Sequence, residues 1–104
     1  MSENLIELDL SRFTRSDRDK IRELGNKLKL MRRWFRHEVA RTEEGDVVQL
    51  YSGNRGPAQY AHYRIMRDHA GGYTLFRGAT EEQILEARTI DAVIEVIPDD
   101  FFYS

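Results

Sequence analysis

Hydrophobic and polar positions change period along this chain, and the changes mark its elements. Leu5 to Leu10 alternates, with Ile6, Leu8 and Leu10 on one side and Glu7 and Asp9 on the other, which is the period-2 mark of a half-buried strand. From Ile21 the period lengthens. Ile21, Leu24, Leu28, Met31 and Phe35 recur at spacings of 3, 4, 3 and 4, with Val39 one turn later, and this predicts an amphipathic helix over residues 16–42. Ser16 is the expected N-cap, with Asp17 and Asp19 in the first turn, where the helix dipole favours acids. Gly25-Asn26 leaves two readings open: the helix ends there and restarts, or it continues with a bend. The stripe keeps its phase across the glycine, which favours continuity. The length of an unbroken helix, about 39 Å, favours a break.

After Glu43-Glu44-Gly45 the pattern turns to strands. Val47 to Tyr51 is β-rich, and Ser52-Gly53-Asn54-Arg55-Gly56-Pro57 is dense in turn residues. Tyr60 to Arg67 and Tyr73 to Arg77 are aromatic and β-branched runs, joined through Asp68-His69-Ala70-Gly71-Gly72 as a hairpin. Thr80-Glu81-Glu82-Gln83 matches a capping box, so residues 81–88 read either as a helix or, from Gln83 to Arg88, as a short fourth strand. Thr89 is the expected cap of a helix whose stripe of Ile90, Val93, Ile94 and Ile97 stops at Pro98. No internal repeat is visible. The prediction is one α+β domain over residues 1–104. A long N-terminal amphipathic helix and a short C-terminal helix pack on an antiparallel β-meander of three or four strands.

Composition narrows the class without naming a function. Of the 104 residues, 40% are hydrophobic and 33% charged, as in an ordinary globular domain. No apolar run is long enough to cross a membrane as a helix. Met1 to Leu10 has neither the basic start nor the apolar centre of a secretory signal. The absence of cysteine excludes disulfides, thiol catalysis and cysteine-ligated metals. A cytoplasmic protein is the expectation.

Charge changes the picture more. Residues 1–41 carry 11 Lys/Arg against 7 Asp/Glu, and residues 42–104 carry 5 against 11, so halves of +4 and −6 make up the net −2. The two halves either complement each other across the core, or the basic half meets an outside polyanion. Placed on the predicted helix at about 100° per residue, Arg18, Arg22, Lys29, Arg32, Arg33 and Arg36 share one arc of roughly 100° with Gly25. Like charges at i,i+4 cost a lone helix roughly 0.2–0.5 kcal/mol per pair, so something negative is expected to face them.

Candidate chemistry is sparse. His37, His62 and His69 show no metal-ligand spacing; His62 and His69 are the two that a hairpin brings towards each other. No nucleophile elbow or phosphate-binding glycine loop is present. Glu43/Glu44, Glu81/Glu82 and Asp99/Asp100 are adjacent pairs, whose side chains diverge on a helix or strand. No catalytic constellation, metal site or cofactor is expected. Gly53, Asn54, Arg55 and Gly56 form a second, weaker candidate, a loop whose backbone N–H groups face an anion. Tyr60, His62, Arg64 and Phe76 set aromatics beside basic groups, the combination that stacks nucleic-acid bases. Phe101-Phe102-Tyr103 behind Asp99-Asp100 reads as a tail folded back on the sheet, or as an acidic-aromatic segment docking into another subunit.

The expected function is that of a small non-enzymatic interaction protein. Its basic helix face contacts an acidic protein surface or a second copy of the chain. The alternative is an RNA- or DNA-binding protein using the same face, and no membrane is involved.

Overall fold

A computed structural model describes residues 9–54 and 61–103. The first helix, α1 (Arg15–Leu30), starts two residues earlier and ends sooner than the stripe predicts. Its N-cap is Thr14 rather than Ser16: the Thr14 side chain accepts from Asp17 N at 3.0 Å, and Asp17 Oδ2 accepts from Thr14 N at 2.9 Å. That reciprocal capping box satisfies two backbone donors at once. Gly25 does not break the helix. It is buried against β1, and a Cβ there would stand 2.8 Å from a ring carbon of Phe35, so the close approach of helix to strand requires glycine.

The helix stops because Arg32 adopts a left-handed φ of 60°, and residues 34–42 then pair as a strand. The full order is β1 (Trp34–Thr42), β2 (Gly45–Gly53), β3 (Tyr63–Arg67), β4 (Tyr73–Arg77), β5 (Gln83–Ala87), α2 (Ile90–Glu95) and α3 (Asp100–Tyr103). The sheet is an antiparallel meander with five strands, in the order β1-β2-β3-β4-β5, rather than three or four. The extra strand is β1, taken from the second half of the predicted helix. Spacings of four, such as Met31, Phe35 and Val39, satisfy a period of 2 as well as one of 3.6, and the β-branched and aromatic content of residues 34–42 decides for the strand. Residues 81–88 resolve as strand: Glu81 takes a left-handed φ of 60°, and Gln83–Ala87 pairs with β4. The expected strand Leu5–Leu10 lies mostly outside the described residues, as does Tyr60.

All three helices lie on one face of the sheet. Ile21, Leu24 and Leu28 of α1, Ile90 and Val93 of α2 with Ile97 beyond it, and Phe101 of α3 close over Val48, Leu50, Tyr63, Ile65, Tyr73 and Leu75. Thr89 caps α2 as predicted, accepting from Ala92 N at 3.2 Å. The C-terminal aromatics divide. Phe101 is fully buried and Tyr103 is 72% exposed, and Ser52 Oγ donates to the Phe101 carbonyl at 2.7 Å. The tail is folded back on its own chain.

Two polar clusters fix the start of α1 to the sheet. Buried Asp17 accepts from Tyr73 Oη at 2.7 Å and from Arg67 Nη1 at 3.2 Å. Burial and that carboxylate push the Tyr73 phenol well above its ordinary range. Buried Asp46 accepts from Phe13 N at 2.9 Å and Arg41 Nη1 at 3.1 Å, and Arg41 Nη2 also reaches Asp9 at 3.2 Å. These bonds satisfy the buried carboxylates and tie the start of α1 and the segment before it to the sheet.

Candidate functional site

The six predicted cations do not share one helix face, because only three of them are on a helix. Arg18, Lys29 and Arg22 fall within roughly 40° of arc on α1, next to Gly25, the residue that touches Phe35 of β1. This flank therefore faces outward over β1, the edge strand. Arg32 is exposed in the turn after α1, whereas Arg33 turns inward, is 8% exposed and approaches Ser52. Arg36 follows the pleat to the opposite sheet face, where its guanidinium lies 4.3 Å from the centre of the Tyr51 ring and 3.6 Å from Glu38.

Between the α1 flank and β1 lies a crevice of about 310 Å³, lined by Arg22, Gly25, Asn26, Lys29, Phe35, Arg36 and His37. Two of its polar residues escaped the sequence reading. Asn26 is legible there only as a helix breaker, and the periodicity predicts His37 on a helix, whereas the β-pleat sends its ring to the α1 side, 5.8 Å from Phe35. Burial and the nearby Arg22 guanidinium lower the His37 pKa, so at neutral pH the imidazole offers a hydrogen bond without adding a charge. Arg22 keeps an exposed pair with Asp19 at 3.2 Å; such pairs are weak and exchange readily for another anion.

The acidic half of the chain does not neutralise this flank. Asp46 pairs with Arg41, Glu81 with Arg64, Glu82 with Arg77, and Asp91 with Lys20. Only the last of these reaches α1, and it does so on the other flank. Arg15, Arg18, Lys29 and Arg32 make no ion pair among the described residues. A larger groove of about 500 Å³ on that other flank, between α1 and the C-terminal helices, carries charges of both signs, including Lys20, Lys27, Asp91 and Asp99. Its lysines are already engaged, Lys20 by Asp91 at 3.6 Å and Lys27 over the Phe102 ring at 4.9 Å.

The remaining candidates separate. Gly53 ends β2 and Asn54 is exposed, while Arg55 and Gly56 lie outside the described residues. His62 and His69 do not meet. His62 Nδ1 faces Ser52 N at 3.4 Å and its ring meets Phe101 edge-on. His69 bridges Asp9 through Nδ1 and the Glu43 carbonyl through Nε2, each at 2.9 Å. Both partners are acceptors, so the bridge needs an imidazolium, and these bonds raise the His69 pKa. Among the described residues no group of three or more His, Asp or Glu side chains is placed to hold a metal ion. No helix among them is long and apolar enough to cross a membrane.

Comparison of the chain with protein-family models, curated proteins and solved structures finds no match.

Proposed function

We propose that this chain is a non-enzymatic interaction protein that receives the acidic surface of a partner protein at the α1–β1 crevice. One observation carries the reading: Lys29, which makes no ion pair among the described residues, lines a concave site together with Arg22, Asn26 and His37, and Arg18, likewise without an ion pair among them, lies one turn before Arg22 on the same flank. Unit charges about 4 Å apart attract by about 1 kcal/mol in water and by about 4 kcal/mol at the dielectric of a protein surface. Three cations around a crevice therefore supply useful affinity to a carboxylate partner, and steer its approach as well. Asn26 and neutral His37 add directional hydrogen bonds that a bare charge patch lacks.

Nucleic acid is the second reading, and one observation favours it. The sheet face away from the helices carries Trp34, Tyr51 and Phe76 beside Arg36 and Arg64. These rings, however, are already faced by the chain's own guanidiniums, Arg36 on Trp34 and Tyr51, and Arg64 on Phe76. The net charge of −2 also opposes a polyphosphate.

Titrations with polyglutamate, a mixed-sequence RNA and duplex DNA at low and moderate salt separate the readings. Polyglutamate is expected to bind, and reversing Arg22 and Lys29 to glutamate to abolish the binding. Preferential nucleic-acid binding with a salt slope near −0.9 per neutralised phosphate shifts the assignment to the second reading. No binding of any polyanion at low salt overturns both.

A further inference from the structure

The crevice opens onto a strand edge, and the two features together imply how a partner is held. On β2, the Asp46 and Ser52 N–H groups and the Leu50 carbonyl all point away from β1, towards Ser11 and His62. In an antiparallel ladder such groups alternate sides along the strand. Odd-numbered β2 residues therefore bond β1, and the register pairs Val47, Gln49 and Tyr51 with Ala40, Glu38 and Arg36. It follows that the N–H and C=O groups of Phe35, His37, Val39 and Arg41 point to the outer edge of β1, where no strand pairs among the described residues.

This edge lacks most of the usual protections. Edge strands are ordinarily blunted by shortness, by proline or lysine, or by bulges. β1 runs nine residues in unbroken register, with no proline and no lysine, and Val39 on it is 47% exposed. Its charged side chains are engaged within the chain, Arg36 by Glu38 and Arg41 by Asp9 and Asp46. The opposite edge, β5, is five residues long and follows a register shift at Leu75/Phe76. A long, regular, unpaired edge is a template for strand addition.

Charge decides what adds. Side chains of an incoming strand alternate faces, and those on the helix side come under Arg18, Arg22 and Lys29. A second copy pairing through its own β1 places the same three cations opposite, so like charge meets like. An acidic strand meets opposite charge instead.

We propose that β1 accepts an extended acidic segment of a partner protein as a sixth strand. The segment's backbone pairs with Phe35, His37, Val39 and Arg41, and its carboxylates reach Arg18, Arg22 and Lys29. The proposal rests on the α1–β1 crevice being the anion site and adds the mode of binding.

The test uses a peptide about nine residues long, alternating glutamate and valine, and two forms of it N-methylated on one or the other set of alternate amides. The parent peptide is expected to bind, and one methylated form, the one whose blocked amides face β1, to lose about tenfold or more in affinity. Hydrogen exchange at Phe35, His37, Val39 and Arg41 slows on binding, while exchange at Arg36, Glu38 and Ala40, already bonded to β2, is unchanged. Val39→Pro removes an outward donor without touching the β2 ladder, and it weakens the peptide but not the binding of a single small carboxylate in the crevice. If peptide affinity ignores N-methylation and the odd amides stay unprotected, strand addition is wrong, while the crevice reading stands provided Arg22→Glu with Lys29→Glu still abolishes binding. If charge reversal also changes nothing, both fall. Self-association of the free chain through the same four amides overturns the choice of an acidic partner over a second copy.

Discussion

Replacing Asp17 by alanine is expected to cost more stability than any other single change to a charged group in this chain. Asp17 lies at the third position of α1 and is 4% exposed. Its carboxylate accepts from Thr14 N at 2.9 Å, Tyr73 Oη at 2.7 Å and Arg67 Nη1 at 3.2 Å. Loss of half a capping box removes about 1 kcal/mol, and loss of a hydrogen bond to a charged acceptor about 1.5–3 kcal/mol. Stranding a largely buried Arg67, whose side chain is only 13% exposed, accounts for about 3–5 kcal/mol by itself. These overlap, so Asp17→Ala is expected to lose about 3–5 kcal/mol in urea titration followed by circular dichroism. In a domain of this size that lowers Tm by at least about 12 °C. Part of the loss is the uncompensated guanidinium, so Arg67→Met in the Asp17→Ala background is expected to cost less than it does alone, with a coupling of about 1–3 kcal/mol. A loss under about 1 kcal/mol, or a cycle additive within about 0.5 kcal/mol, refutes the clamp as the device that positions α1.

His69 makes the fold pH-sensitive in a stated direction. Its pKa is raised in the folded chain, so the stabilisation is complete below the unfolded value of 6.5 and fades as pH rises through the folded value. Asp9, held low mainly by hydrogen bonds from Ser11 and then by His69, remains ionised throughout that window. The Tm deficit of His69→Gln is therefore expected to be larger near about pH 5.5 than near about pH 8.5, and a deficit that grows with pH contradicts the bridge. Phe101→Ala is expected to lose about 3–5 kcal/mol, because the ring is fully buried and packs edge-on against Phe35, Tyr63 and Phe102. Tyr103→Ala, at an exposed position, is expected to stay within about 0.5 kcal/mol of wild type.

Much of the fold is legible in the sequence where one period excludes the other. Ile90, Val93, Ile94 and Ile97 fit only a helix, and Thr89 caps it as expected. The hairpin at residues 68–72 is legible from its turn residues, and Asp68 Oδ1 accepts from the N–H groups of Ala70 and Gly72. The misplacement of residues 34–42 has a specific cause. Phe35 and Val39 are four apart, and a spacing of four keeps side chains on one face of either element, so periodicity alone did not choose. Charge carried a clue: Arg32, Arg33 and Arg36 repel along a helix, and the turn and strand separate them to the outside, the interior and the far sheet face. Thr80-Glu81-Glu82-Gln83 looked like a cap, but local capping lost to pairing of β5 with β4, a contact invisible in one sequence.

The candidate site was legible in part for the same reason. Arg18, Arg22 and Lys29 are legible as one cluster because all three lie on the part of the predicted helix that is helical in the structure. Their concave setting depends on Gly25 meeting Phe35 across 10 residues of chain, and His37 joins it only through the strand pleat. The expected pairing between the basic and acidic halves comes down, among the described residues, to Arg41 with Asp46 and Lys20 with Asp91, the latter on the far flank of α1; Glu81 and Glu82 pair within their own half, with Arg64 and Arg77.

The proposed function depends on an anion binding at the flank of α1 over β1, and amide and side-chain chemical-shift mapping during a polyglutamate titration reads that binding residue by residue. Shifts are expected to concentrate at Arg22, Gly25, Asn26, Lys29 and His37, with the His37 imidazole moving towards its protonated form as a carboxylate arrives. Shifts centred on Lys20 and Lys27 in the larger groove, or spread evenly over the surface lysines and arginines, contradict it.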